Sequence, residues 1–132
     1  MQPLLSTPYL KLYLHPGGSR ALEAQWNGVV DSVLLRRATL ECVRLAREHH
    51  VSGWIADDRV GPVSAADVGW VATYVLPLLI NGGIERFARL EVIAPLTQQV
   101  IGPVQERAQQ QLGFALRSFT DPAAARAWAC SG

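Results

Sequence analysis

Cysteine is scarce in this chain of 132 residues, with only Cys42 and Cys130. Two cysteines are no disulfide framework, and their spacing is not that of zinc ligands. Both are read as reduced thiols. Charge is also sparse and balanced: 17% of residues are charged, 12 basic against 11 acidic. That excludes the basic surface with which nucleic-acid-binding proteins neutralise phosphates, so no nucleic-acid partner is expected. The longest uncharged stretch, residues 68–84, is interrupted by Pro77, Asn81 and three glycines. No membrane span is expected from so broken a run. The opening MQPLLSTPYLKL lacks a basic n-region and a long apolar h-region. No signal peptide is expected there, and the cytoplasm is the expected location. Catalytic signatures are missing as well. There is no G-x-S-x-G elbow and no P-loop, and the glycine pairs at 17–18 and 82–83 lack dinucleotide-binding spacing. Histidine is limited to His15, His49 and His50. A metal site would need further ligands, so neither metal nor cofactor is expected.

What is present is a globular composition, 49% hydrophobic, of a length that makes one domain spanning 1–132. Residues 9–15, YLKLYLH, alternate: Leu10, Leu12 and Leu14 face one way, and Tyr9, Lys11, Tyr13 and His15 the other. PGGS then turns the chain, and residues 21–26 alternate again with Leu22, Ala24 and Trp26 on one face. The pair reads as a β-hairpin.

Residues 31–49 read as a helix capped by Asp31 or Ser32, with Leu34, Ala38, Cys42, Leu45 and Ala46 as its apolar stripe. Its other side carries Arg36, Arg37, Arg44 and Arg47, with Glu41 and Glu48 four residues after Arg37 and Arg44. This is read as a self-paired solvated face, with an anion-binding stripe as the second reading.

Residues 53–57, GWIAD, are nearly all apolar and read as a strand covered on both faces. A helix from about Ala65 to Leu76 or Leu79 follows, with Ser64 as its cap and Pro77 as its kink or end. A strand over 86–94, a helix over about 97–111, a strand over 115–119 and a closing helix capped by Thr120 or Asp121 complete the chain. The order ββαβαβαβα implies an α/β fold with a mixed, mostly parallel five-stranded sheet and an antiparallel hairpin at one edge.

Two places stand out as candidate sites. Asp57, Asp58 and Arg59 lie at the carboxyl end of a parallel strand, where open α/β sheets collect ligands. Adjacent aspartates on an extended chain point to opposite faces, which argues against a paired acid and base. One aspartate is expected to hydrogen-bond loop amides and the other to be solvated or paired. The second place is the helix after them. Val68, Ala72, Val75, Leu76 and Leu79 make one apolar face, and Trp70, Tyr74 and Pro77 make another. A helix on a sheet should be polar outside. The second apolar face is therefore a partner surface, a dimer seam, the wall of a lipid pocket, or aromatics covered by flanking segments.

Several short motifs in this order point to a family. Trp26 and Gly28 close the second strand, and WIADDR stands at 54–59. Asp67, Trp70 and Pro77 follow at fixed spacing, then G.ERFA at 83–88 and an alanine-rich last helix with Trp128. Spread over most of the chain, the set resembles the STAS domain, named for sulfate transporters and anti-sigma factor antagonists. It is most similar to a bacterial branch of STAS-like single-domain proteins. The resemblance implies a non-enzymatic regulatory domain that binds a partner kinase or sensor. It also implies a switch by phosphorylation of a Ser or Thr at the start of the second helix. Asp57 matches the aspartate that ends the family's strand, and Ser64 falls within a residue or two of the phosphorylated position. The family's Asp-Ser pair is not present, since Val63 and Ala65 flank Ser64. Ser64 therefore has two readings, phosphorylation site and helix cap.

The expected function is a non-catalytic regulatory or protein-interaction module that recognises a partner, or a second copy of itself, through helix 65–79 and loop 57–64. Asp57, Asp58, Arg59, Ser64, Trp70 and Tyr74 are its candidate contact residues. The alternative is binding of a small apolar ligand or lipid between that helix and the sheet. A third reading is an enzyme built around Asp57 and Asp58.

Overall fold

The computed structural model describes residues 2–27, 30–57, 65–90 and 115–131. Six strands form one sheet in sequence order: β1 (Gln2–Ser6), β2 (Leu10–His15), β3 (Ala21–Trp26), β4 (Gly53–Asp57), β5 (Arg86–Leu90) and β6 (Ala115–Phe119). The first three pair antiparallel, and β3 through β6 pair parallel. The helices among the described residues are α1 (Ser32–Glu48), α2 (Ala65–Trp70), α3 (Leu76–Asn81) and α4 (Pro122–Ala129). A wide helical turn, Val71–Val75, joins α2 to α3. The mixed, mostly parallel architecture is the expected one. The expected helix over 97–111 and the end of the strand over 86–94 lie outside the described residues.

The sheet has one strand more than the five expected. The extra strand, β1, sits at the edge, the position where a proline such as Pro3 is tolerated in a sheet. Its register slips between Pro3 and Leu5, so Leu4 and Leu5 are both partly buried. A bulge of this kind erases the period-two alternation by which a strand is recognised.

The cores on the two sheet faces differ in size. Leu10, Leu12, Leu22, Ala24, Trp54, Ala56, Phe87 and Leu116 pack on one face against Ala38, Cys42, Val43 and Ala46 of α1 and against Val75, Leu76 and Leu79. Trp54 and Phe87 stack across neighbouring strands with centroids 6.5 Å apart. The other face buries Ala21, Ile55, Ala88 and Leu90 under Ala125 and Ala129 of α4. The C-terminal end of α4 lies so close to the start of β4 that a Cβ on Gly53 would sit 2.3 Å from the Ala129 carbonyl oxygen. Only glycine fits there.

Helix ends follow local chemistry. The Asp31 carboxylate accepts from the Leu34 amide at 2.9 Å, and Asp121 accepts from the Ala123 and Ala124 amides. These side chains satisfy amides that the first helical turn leaves unpaired. At the other end of α1 the Val51 amide returns to the Ala46 carbonyl, with His50 in the left-handed region at φ 53°.

The segment 65–81 explains its own wide turn. Its sheet-facing residues are Asp67, Val71, Val75 and Leu79, all buried or packed against the core. They are spaced by four. At 3.6 residues per turn each such step overshoots by about 40°, and three steps would swing the row by about 120°. A turn closed by a bond from the Leu76 amide to the Val71 carbonyl, five residues back, takes up the excess. Pro77 follows directly and has no amide hydrogen to offer the Thr73 carbonyl, so the regular ladder could not close there.

Candidate docking surface

Of the residues singled out in the sequence, Asp57, Trp70 and Tyr74 lie among those described; Asp58, Arg59 and Ser64 lie outside them. Asp57 is the last residue of β4 and is buried. Its register partners are Gln25 on β3 and Leu90 on β5. It shares the face of Ile55, the side that α4 covers. Trp70 lies on the opposite face, packed against the core that α1 helps to build. The strand end and the aromatic helix are therefore separated by the sheet.

Trp70 and Tyr74 stack on each other with centroids 5.9 Å apart and ring planes 17° apart. The Arg36 guanidinium lies over the Trp70 ring, 5.2 Å from its centroid. Below them is Asp67, buried, whose carboxylate accepts from Ser32 Oγ at 3.0 Å and from Arg36 Nε at 3.4 Å. The carboxylate thus ties the first turn of α2 to the first turn of α1. At the far end Arg47 donates to the Leu78 carbonyl at 3.1 Å. The two helical segments lie side by side, clamped by an arginine of α1 at each end. Trp70 is half-buried, and Tyr74 remains 51% exposed. Thr73 turns outward and satisfies its hydroxyl on the Gly69 carbonyl at 2.9 Å. The row facing the sheet includes Val71, which the sequence reading had not placed there; the wide turn brings it round.

The basic face of α1 is paired differently from expectation. Arg44 takes both acids, Glu41 at 2.5 Å and Glu48 at 2.9 Å. Its hydrogen bonds hold the Glu41 carboxyl below the usual carboxylate range. Arg37, the partner expected for Glu41, has no ion pair with any described carboxylate. An i,i+3 contact to Arg44 outcompetes the i,i+4 contact because one guanidinium fork reaches both glutamates.

A second polar cluster escaped the sequence reading. Glu23 on β3 is fully buried and accepts from Arg126 of α4 through Nε at 2.7 Å and Nη2 at 3.0 Å. Gln25 donates to it at 2.5 Å, and the His15 ring lies 2.8 Å away. Burial pushes the carboxyl up, but hydrogen bonds from Arg126, Gln25 and His15 and the charge of Arg126 outweigh it and hold Glu23 below its ordinary range. The available signal was the alternation that put His15, Glu23 and Gln25 on one side of the hairpin. The deciding partner, Arg126, is 103 residues further along the chain. With its oxygens engaged on three sides, the carboxylate is a structural tie between β3 and α4 rather than a reacting group.

Other chemistry is sparse. Among the described residues no three His, Cys, Asp or Glu side chains come together to hold a metal. Cys42 and Cys130 are free, and burial pushes the Cys42 thiol up to about 12. An unionised thiol is a poor nucleophile. A surface cleft of about 190 Å³ is lined by Gln2, Leu14, Pro16 and Arg20, at the β1 edge and not at the aromatic helix. Among the described residues no helix is long and apolar enough to cross a membrane.

Comparison with solved structures supplies the fold. The chain is similar to the crystal structure of an uncharacterised protein of the DUF3478 family with a SpoIIAA-like fold, from Shewanella loihica. The TM-score is 0.61 at 13% sequence identity, over 96% of this chain and 99% of that one. No family model and no curated protein matches. The architecture is thus SpoIIAA-like, in keeping with the STAS resemblance of the sequence motifs.

Proposed function

We propose that this chain is a non-catalytic regulatory or protein-interaction module of the cytoplasm that recognises a protein partner through helix 65–79 and loop 57–64. One observation carries the reading: Tyr74, stacked on a Trp70 that is half-buried against the core, stands half open to solvent on a helix whose inner row is fixed. Large aromatics in that setting are the usual anchors of interfaces. The STAS-like fold supports a module of this kind. Asp58, Arg59 and Ser64 belong to the same proposed surface, with Ser64 as the position where a phosphate would alter it.

The ligand alternative would require space between this helix and the sheet. Val75, Leu76 and Leu79 fill that seam at 1–2% exposure, so a ligand would have to displace them. A filled seam favours a partner outside the helix. Asp57 is buried at the end of β4 on the side that α4 covers, which favours a structural role for it over a reacting one.

Native mass spectrometry with Tyr74→Asp tests the reading. The expected outcome is a folded protein that loses either a self-associated state or binding to a partner. A wild-type monomer that carries extra mass, retained in Tyr74→Asp, would overturn it in favour of a bound ligand.

A further inference from the structure

The two faces of the sheet are covered in different ways. On the α1 side the large side chains Leu10, Leu12, Leu22, Trp54 and Phe87 meet Val43, Leu76 and Leu79. On the other side the buried residues that α4 offers to Ile55 and Leu90 are alanines, Ala125 and Ala129. Trp128 is half-buried and leans on Phe119, with ring centroids 5.6 Å apart. A methyl group supplies little of the apolar area that holds a helix to a sheet. The larger core draws no residue from α4.

What fastens α4 is mostly polar. Arg126 forks onto Glu23, Arg86 donates to the Trp128 carbonyl at 3.0 Å and to Ser131 Oγ, and the Ser19 amide donates to the Cys130 carbonyl at 2.9 Å. Bonds of this kind are exchanged for bonds to water when the helix lifts, so they add little to the cost of lifting. The ion pair behaves likewise. Truncating Arg126 strands Glu23 under the helix, whereas lifting the whole helix returns both charges to water together. Glu23 then keeps Gln25 and His15, because both stand with it on the β2–β3 hairpin. The Arg126 side chain is already 36% exposed. Thr120 and Asp121, both exposed, give the chain a joint between β6 and α4. A helix of eight residues does not persist alone in water, so a lifted α4 also unwinds.

We infer that α4 is a releasable cover, which leaves the sheet and unwinds as one unit while α1 and the larger core stay folded. The released form uncovers Ile55, Ala88, Leu90 and the Glu23 carboxylate together, an apolar and acidic face that the closed form hides. Release does not depend on the docking surface, which lies on the opposite side of the sheet.

Amide hydrogen exchange of the isotope-labelled full chain, followed by NMR in water and in urea below the unfolding transition, tests this. The expected result is one shared protection for the Ala125 and Cys130 amides, at least about a hundredfold below that of Cys42 and Val43 in α1, with little dependence on urea. The Ser19 amide should exchange with them, since its acceptor leaves with the helix. Equal protection and equal urea dependence in α4 and α1 would overturn the inference, because α4 would then open only with the whole domain. A Ser19 amide that stays protected while α4 exchanges would also overturn it, in favour of a helix that frays in place. Gly53→Ala supplies a wedge, since a Cβ there would sit 2.3 Å from the Ala129 carbonyl oxygen. Its expected spectrum has the α4 signals at unfolded positions and the α1 signals unmoved. Loss of all dispersion, or an α4 as protected as in the wild type, would overturn release as a unit.

Discussion

Two buried carboxylates, Glu23 and Asp67, each hold an arginine from a helix, and they are used in opposite ways. Glu23 grips Arg126 with both oxygens at 2.7 and 3.0 Å and is closed in by Gln25 and His15. Asp67 accepts from Arg36 at 3.4 Å and from Ser32 Oγ at 3.0 Å, and the same guanidinium lies over the Trp70 ring. The first arrangement is a saturated tie that fastens the last helix to the sheet. The second leaves a cation and an aromatic pair partly in solvent. The same chemical pair makes a structural clamp where the fork is bidentate and enclosed. It frames a surface where the guanidinium is longer-bonded, lies over an aromatic ring and stays partly in solvent.

The largest expected effect comes from breaking the enclosed pair. Arg126→Ala should cost about 3 kcal/mol in urea denaturation, because it strands a buried carboxylate. That is the low end for such pairs, as the Arg126 side chain is 36% exposed. Retained stability in Arg126→Ala would show that Glu23 is not an obligate partner.

Acid sharpens the contrast. The folded-state carboxyl of Glu23 lies below its ordinary 4.5, so its contribution is present above that pH and is lost as pH falls through the lowered value. Denaturation midpoints measured down the acid limb should fall steeply in the wild type and less steeply in Glu23→Gln.

On the open side, Trp70→Ala should cost about 2 kcal/mol, since the ring is half-buried against the core. Arg36→Ala should cost about 1 kcal/mol, because the Ser32 hydroxyl continues to serve Asp67. The smallest effect is expected from Tyr74→Asp, within about 0.5 kcal/mol of wild type in thermal unfolding. A loss as large as that of Trp70→Ala would mean that Tyr74 belongs to the core and not to a docking surface.

How far the sequence could be read differs between elements for physical reasons. β2, β3 and α1 were legible because period and caps agree, and β4 because an apolar run marks a strand buried on both faces; Asp31 and Asp121 cap where their chemistry suggested. β1 was not, because a bulge and Pro3 hide its alternation. The aromatic face of the second helical segment was visible as an excess of apolar residues with nowhere to go. Its register was not, since Val71 reaches the core only through a turn wider than the helical period. The Arg44 pairing depended on side-chain reach, which spacing alone does not rank. The Glu23 network was out of range altogether, for no local rule connects a hairpin glutamate with an arginine of the last helix.

The wide turn at Val71–Val75 also bears on how this chain can change length. Segment 65–81 holds one residue more than a regular helix needs to keep Asp67, Val71, Val75 and Leu79 on one side. Removal of Thr73 together with Pro77→Ala would leave those four at intervals of four, three and four, the repeat of an ordinary amphipathic helix. The same deletion within α1 would rotate everything beyond it by about 100° and carry buried side chains into water. The surplus residue gives this layer a place where a codon can be lost or gained without scrambling the face that meets the sheet. Length variation among related chains is expected to gather there.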